Sequence, residues 1–284
     1  MNRFVLCIFA LGAALGLGHG LDLALGGIDP VTGLCAAGSV WWRYGALALT
    51  VALALAAGRR APVRSAALLG RRPVLGGAAL LCSACFALCG LGRLALTGLS
   101  GGVFMLLRAG LELLCAAWMG ALAAAWLRRG HWHAPAGGLV LAVFGSAVFY
   151  MQVLGRFMEN SSSWHRVAPT VQVWQMLAVL VLTSTLIRSV YLPGTSDGWS
   201  LCAAALAAYC LGLCWQLPEL GSLLTGTGDL LDLLGAAELC CTGLLGGAVA
   251  LTGLRRRSGA GTPLAEMPKS RPAFTAKSYK TKKV

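Results

Sequence analysis

Eight runs of mostly apolar residues follow one another along the chain, at 4–25, 38–58, 73–92, 102–127, 135–155, 168–188, 199–217 and 231–254. Each is about 20 residues long, enough to cross roughly 30 Å of hydrocarbon. No other feature limits the fold so tightly. In lipid, each backbone N–H and C=O must be satisfied inside its own segment, which makes the runs helices and their assembly a bundle. The expected fold is an all-α, polytopic integral membrane helical bundle over residues 1–254, with about eight transmembrane helices. Charged residues are 12% of the 284, about half the share in a soluble domain. The linkers between runs, such as GGIDPVTG (26–33), TGLSGG (97–102) and LPGTSDG (192–198), carry turn residues and leave no room for a second domain. The first run follows MNR, as a signal peptide would. It continues to about Leu25 without a good cleavage site, so helix 1 is expected to be retained.

The net charge of +13 would suit a nucleic-acid partner if it were clustered on a folded face, but it is not. Much of it lies in residues 255–284, a Pro-, Gly-, Ser- and Lys-rich tail too poor in apolar residues to fold. This tail is expected to lie on anionic lipid headgroups, so the expected partners are lipids, with no nucleic acid. The remaining arginines flank the apolar runs. With the N-terminus inside, Arg3, Arg59, Arg60, Arg64, Arg71, Arg72, Arg128, Arg129 and Arg188 fall on the inner side. Arg43, Arg93, Arg156 and Arg166 fall outside. This bias follows the positive-inside rule and predicts a multi-pass protein of the cell (cytoplasmic) membrane with both termini cytoplasmic.

Several chemical signatures are missing or weak. There is no H-E-x-x-H zinc motif and no phosphate loop. GTSDG (194–198) matches a nucleophile-elbow pattern only formally, because it follows LPG in a short linker. HWH (131–133) suits an interfacial belt better than a metal site. Ten of the eleven cysteines lie in apolar runs, where a thiol serves as a small hydrophobe, and Cys35 alone lies in a loop. Cys82, Cys85 and Cys89 share a helix face that could take a soft metal, yet close helix packing explains them equally well. No cofactor and no catalytic constellation is expected.

Two features point toward function. The first is an internal similarity. SVWWR (39–43) and SSWHR (162–166) share S-x-W-x-R; Cys85 and Cys89 correspond to Cys210 and Cys214; ELLCAAWMG (112–120) corresponds to ELCCTGLLG (238–246). The near-constant offset predicts two parallel four-helix repeats, 1–130 and 131–254, an arrangement known in transporters. The second is the stretch LLRAGLELLC (106–115), where Arg108 and Glu112 stand four apart inside an apolar run. They share a helix face and can pair. Glu238 occupies the position equivalent to Glu112, while Leu234 replaces Arg108, which leaves one carboxylate without a guanidinium. The expectation is that Glu112 and Glu238 face each other, with Arg108 neutralising one and the other binding a proton or a cation. His19 and Asp22, near the outer end of helix 1, are expected to complete an outward-open polar vestibule. Gln152, Gln172, Gln175 and Gln216 lie toward the same side.

The first expectation for function is therefore a transporter-like, small-solute or ion permease with an outer-half polar site. The second is a non-transporting accessory or structural membrane protein whose outer loops carry the activity. A membrane-embedded enzyme ranks third, so the chain is not expected to be an enzyme.

Overall fold

The computed structural model describes residues 3–29, 33–97, 102–129, 132–159, 165–226 and 229–255. Among these it is all-helical, and eight helical stretches are long and apolar enough to cross a membrane. The helices are α1 (Arg3–Ala24), α2 (Val40–Arg60), α3 (Pro73–Thr97), α4 (Val103–Leu127), α5 (Gly138–Glu159), α6 (Val167–Tyr191), α7 (Gly198–Ala208), α8 (Gln216–Thr225) and α9 (Leu230–Arg255). A π-helical segment, Tyr209–Trp215, joins α7 to α8, so the three form one stretch over Gly198–Thr225. This is the architecture of a multi-pass membrane protein. The tail expected over 255–284 lies, beyond Arg255, outside the described residues.

Of the element boundaries that differ from the sequence reading, two matter for the site. Helix 7 was expected to stop at residue 217, before Pro218, but the chain remains helical to Thr225. A proline inside a helix frees the carbonyl four residues back, here that of Cys214. The π-helical segment lies just before Pro218, and α8 restarts with the proline in its first turn, where a missing N–H does no harm. Gly16 of α1 packs on the Cys214 carbonyl so closely that a Cβ there would lie 2.4 Å from the oxygen. Helix 3 was expected to end at residue 92, with Arg93 in an outer loop. It runs instead to Thr97 and carries Arg93 inside the bundle.

The chain-order hairpin α3–α4 is the most closely packed pair, with Ser83 Oγ donating to the Ala116 carbonyl at 2.7 Å. On it rest α5, against α4, and α9, against α3. Phe86 of α3 meets Phe149 of α5 edge to face, with ring centroids 5.6 Å apart. The stretch from α7 to α8 is wrapped by α1, α2, α6 and α9. Gly243 of α9 makes the closest of these approaches, since a Cβ there would lie 2.3 Å from the Leu213 backbone nitrogen. Small residues that let backbones come this near are the usual currency of helix association in lipid. The helices matched by the sequence similarity have unlike neighbourhoods: α3 packs on α4 and α9, whereas its counterpart in chain order is surrounded on four sides.

At the end of the bundle holding the α1–α2 linker, that linker folds back on itself through a bridge between Ile28 and Cys35. Leu34 then bridges to Arg166 at the start of α6, and the Cys35 N–H donates to the His165 carbonyl at 3.3 Å. At the opposite end, Trp126 Nε1 donates to the Leu68 carbonyl at 2.9 Å, pinning the arginine-rich α2–α3 linker beneath α4. Ser196 of GTSDG lies in the α6–α7 turn, hydrogen-bonded to Ser65 across that end.

Candidate functional site

Four ionisable side chains meet where α3, α4, α5 and α9 pack together. Glu112, on the buried face of α4, is 0% exposed, and Glu238, on α9, is 2% exposed. Both sit in the half of the bundle toward the α1–α2 linker, about two-thirds of a helix length from the arginines that end α4 and α9. Arg108 reaches Glu112 along the same helix, Nε to Oε1 at 3.2 Å, as the i, i+4 spacing predicts. A second guanidinium is there as well. Arg93 of α3, only 4% exposed, donates from Nε to the same oxygen at 2.7 Å. The sequence reading counted Arg93 among the loop charges, and this corrects the charge balance: two carboxylates share two guanidiniums, not one.

The two acids are nevertheless held differently. Glu238 Oε2 accepts from the Gln152 side-chain amide of α5 at 2.8 Å, and among the described residues no guanidinium makes an ion pair with it. Glu112, Arg93 and Arg108 all lie within electrostatic reach of Glu238. Two carboxylate oxygens, Glu112 Oε2 and Glu238 Oε1, are buried without a hydrogen-bond partner. Cys89 of α3 lies beside Glu238, one helical turn below Arg93. Arg108 is the most exposed member, its side chain 21% exposed.

His19 and Asp22 have other partners. α1 packs on α2, the π-helical segment and α8. The His19 ring stacks on Trp215, with centroids 3.8 Å apart. Its Nε2 lies 3.3 Å from Glu219 Oε1, without the alignment of a hydrogen bond. Glu219 was expected in an outer loop, and the continuation of the seventh span through α8 brings it inward. Asp22 accepts twice from Arg43, at 2.7 Å from Nε and 2.7 Å from Nη2. The same guanidinium donates to the Cys35 thiol at 2.8 Å and to the carbonyls of Ala37 and Gly27. Asp22 is thus the anchor of a clamp that fixes the α1–α2 linker. The structure brings together Arg108, Glu112 and Glu238, and seats His19 and Asp22 elsewhere.

Of the glutamines, Gln152 joins the cluster. Gln175 donates to the Leu211 carbonyl at 2.9 Å, beside the π-helical segment. The hydroxyls of Thr183, Ser184 and Thr185 bond back to their own helix and take no part. The three cysteines of α3 line its contact with α9, where Cys82 donates to the Cys241 carbonyl at 3.1 Å. Among the described residues no group of His, Cys, Asp and Glu side chains is placed to hold a metal ion.

Arg93 could be found in the sequence only by counting turns, whereas the sequence reading already places Gln152 toward the same side. Arg93 is twenty residues into its helix, at the distance where a span can still be intramembrane, and Gln152 is a lone amide in an otherwise apolar run. No protein-family model matches this chain, and no curated protein or solved structure is significantly similar to it.

Proposed function

We propose that the chain is an ion or small-solute permease of the cell membrane, with the Arg93–Arg108–Glu112–Glu238 cluster as its site and both termini cytoplasmic. The observation that carries this reading is the burial of two carboxylates, each with one oxygen left unpartnered, in the interior of a bundle of membrane-length helices. Each ionised side chain at such depth costs about 2.5–3.5 kcal/mol on insertion scales, and intramembrane ionisable groups mark ion and substrate pathways. Helix association alone would not call for four of them, since hydroxyls, amides and small residues serve that purpose at lower cost. Arg108, the most exposed member, gives the cluster its approach from the surface, and an outward-facing site takes that approach from the side of the α1–α2 linker. The reading does not depend on a two-fold repeat, because the site is built from α3, α4, α5 and α9.

A second reading, a non-transporting accessory protein, draws support from the ordered platform made by the α1–α2 linker against the start of α6. The test separates the two. Full-length protein is reconstituted in sealed vesicles loaded with a pH- or sodium-sensitive dye, and a potassium diffusion potential is imposed. Flux of protons or sodium above that of empty vesicles, lost in Glu238→Gln, is the result expected of a permease. Vesicles as tight as empty ones, with and without the substitution, favour the accessory role.

A further inference from the structure

We infer that the ion bound by the buried cluster is a proton, taken up by Glu238, with Glu112 clamped between two guanidiniums as the fixed counter-charge. This rests on reading the cluster as the protein's site, and it names the ion. The two acids differ in their surroundings. Glu112 Oε1 receives Arg93 and Arg108, at 2.7 and 3.2 Å. Glu238 has only neutral donors near it, the Gln152 amide at 2.8 Å and the Cys89 thiol beside it, and no guanidinium on its Oε1, while the residue is 2% exposed. A buried carboxylate without a paired cation is costly, and one proton placed on it removes the charge that makes it so.

Other cations fit poorly. A hard ion such as Ca²⁺ takes about six to eight oxygen ligands, and Mg²⁺ wants a near-ideal octahedron of them. The groups acting on Glu238 supply few. From α3 come Arg93 and the thiols of Cys85 and Cys89; from α4 come Arg108, Glu112 and the Cys115 thiol. α5 contributes Gln152, which turns its N–H toward the carboxylate, and α9 itself contributes Cys241. Two guanidiniums repel any metal cation, and the thiols would suit only a soft one. No described group of three or more His, Cys, Asp or Glu side chains is arranged for a metal. A proton needs a single oxygen, which is what the site offers.

The test uses the full-length protein in vesicles and dicyclohexylcarbodiimide, an apolar reagent that reacts with protonated carboxyl groups in a membrane interior. Mass spectrometry of the labelled peptides reads the site. Glu238 is expected to be labelled in preference to Glu112. The yield should fall several-fold as the pH is raised, as for a titrating acid, and should be indifferent to sodium or calcium. Labelling of Glu112 in preference to Glu238, or protection of Glu238 by sodium or calcium at constant pH, would overturn the inference. The measurement needs no variant, so misfolding cannot confuse it. It also needs no flux: labelled Glu238 in a protein that transports nothing would defeat the permease reading and leave the proton site standing.

Discussion

Replacing Arg93 with Met should be among the most damaging single changes in the bundle, although the residue stands only four positions from the end of its helix. At 2.7 Å and an effective dielectric near 20, its attraction to Glu112 is roughly 6 kcal/mol before desolvation is subtracted. Arg108 at 3.2 Å gains roughly 5 kcal/mol on the same scale, so distance barely separates them. Exposure does. The Arg93 side chain is 5% exposed and the Arg108 side chain 21%, so only the second has room to turn away from Glu112 toward the near end of its helix. Removing one partner of a buried pair costs about 3–5 kcal/mol, most of it the charge left behind. Arg93→Met is therefore expected to lose about 3–5 kcal/mol, and Arg108→Met about 1 kcal/mol, as for a partly solvated pair. The double variant Arg93→Met, Glu112→Leu removes both buried charges and should recover most of the loss, because Arg108 can then turn outward. Denaturant unfolding of the protein in detergent micelles, followed by tryptophan fluorescence, measures all three. Equal losses for the two arginines, or a double variant no better than Arg93→Met, would refute the assignment of Arg93 to a buried ion pair.

Three further outcomes follow from the packing and the loops. Gly243→Ala sets a methyl against the Leu213 backbone and should cost about 1–3 kcal/mol in the same unfolding assay. Gly235→Ala, on the same helix with no atom within 4 Å, should be neutral or stabilising by up to about 1 kcal/mol. Asp22→Ala removes the bidentate partner of Arg43, frees the α1–α2 linker, and should raise the alkylation rate of Cys35 several-fold without changing vesicle flux. Reporter fusions should place the α1–α2 linker outside the cell and the α2–α3 linker, with Arg64 and Arg71, inside; the reverse assignment would overturn the positive-inside reading.

The existence, number and approximate limits of the helices were legible because lipid leaves one solution for a run of about 20 apolar residues. The Arg108–Glu112 pair was legible because its geometry is local, set by one turn of one helix. Arg93 was not. A charge near the end of a span looks the same in sequence whether it turns to headgroups or into a bundle, and only the packing of α3 on α4 decides it. Glu219 escaped for a different reason: Pro218 reads as a helix stop, and the π-helical segment that carries the chain past it has no sequence signature. Equivalence of Glu238 with Glu112 was inferred from a similarity between halves, yet what places Glu238 in the cluster is the contact of α9 with α3 and the Gln152 amide from α5.

The central claim is that this cluster is a site open to the side of the α1–α2 linker and not internal glue. The measurement that tests it most directly is thiol accessibility at Arg108→Cys, in a protein whose exposed Cys7 and loop Cys35 are replaced by Ser. A charged, membrane-impermeant thiol reagent applied to intact cells should modify Cys at position 108 from the outer face, and prior modification should abolish any flux lost in Glu238→Gln. A thiol at that position that reacts only from the cytoplasmic face, or from neither, would contradict an outward-facing site.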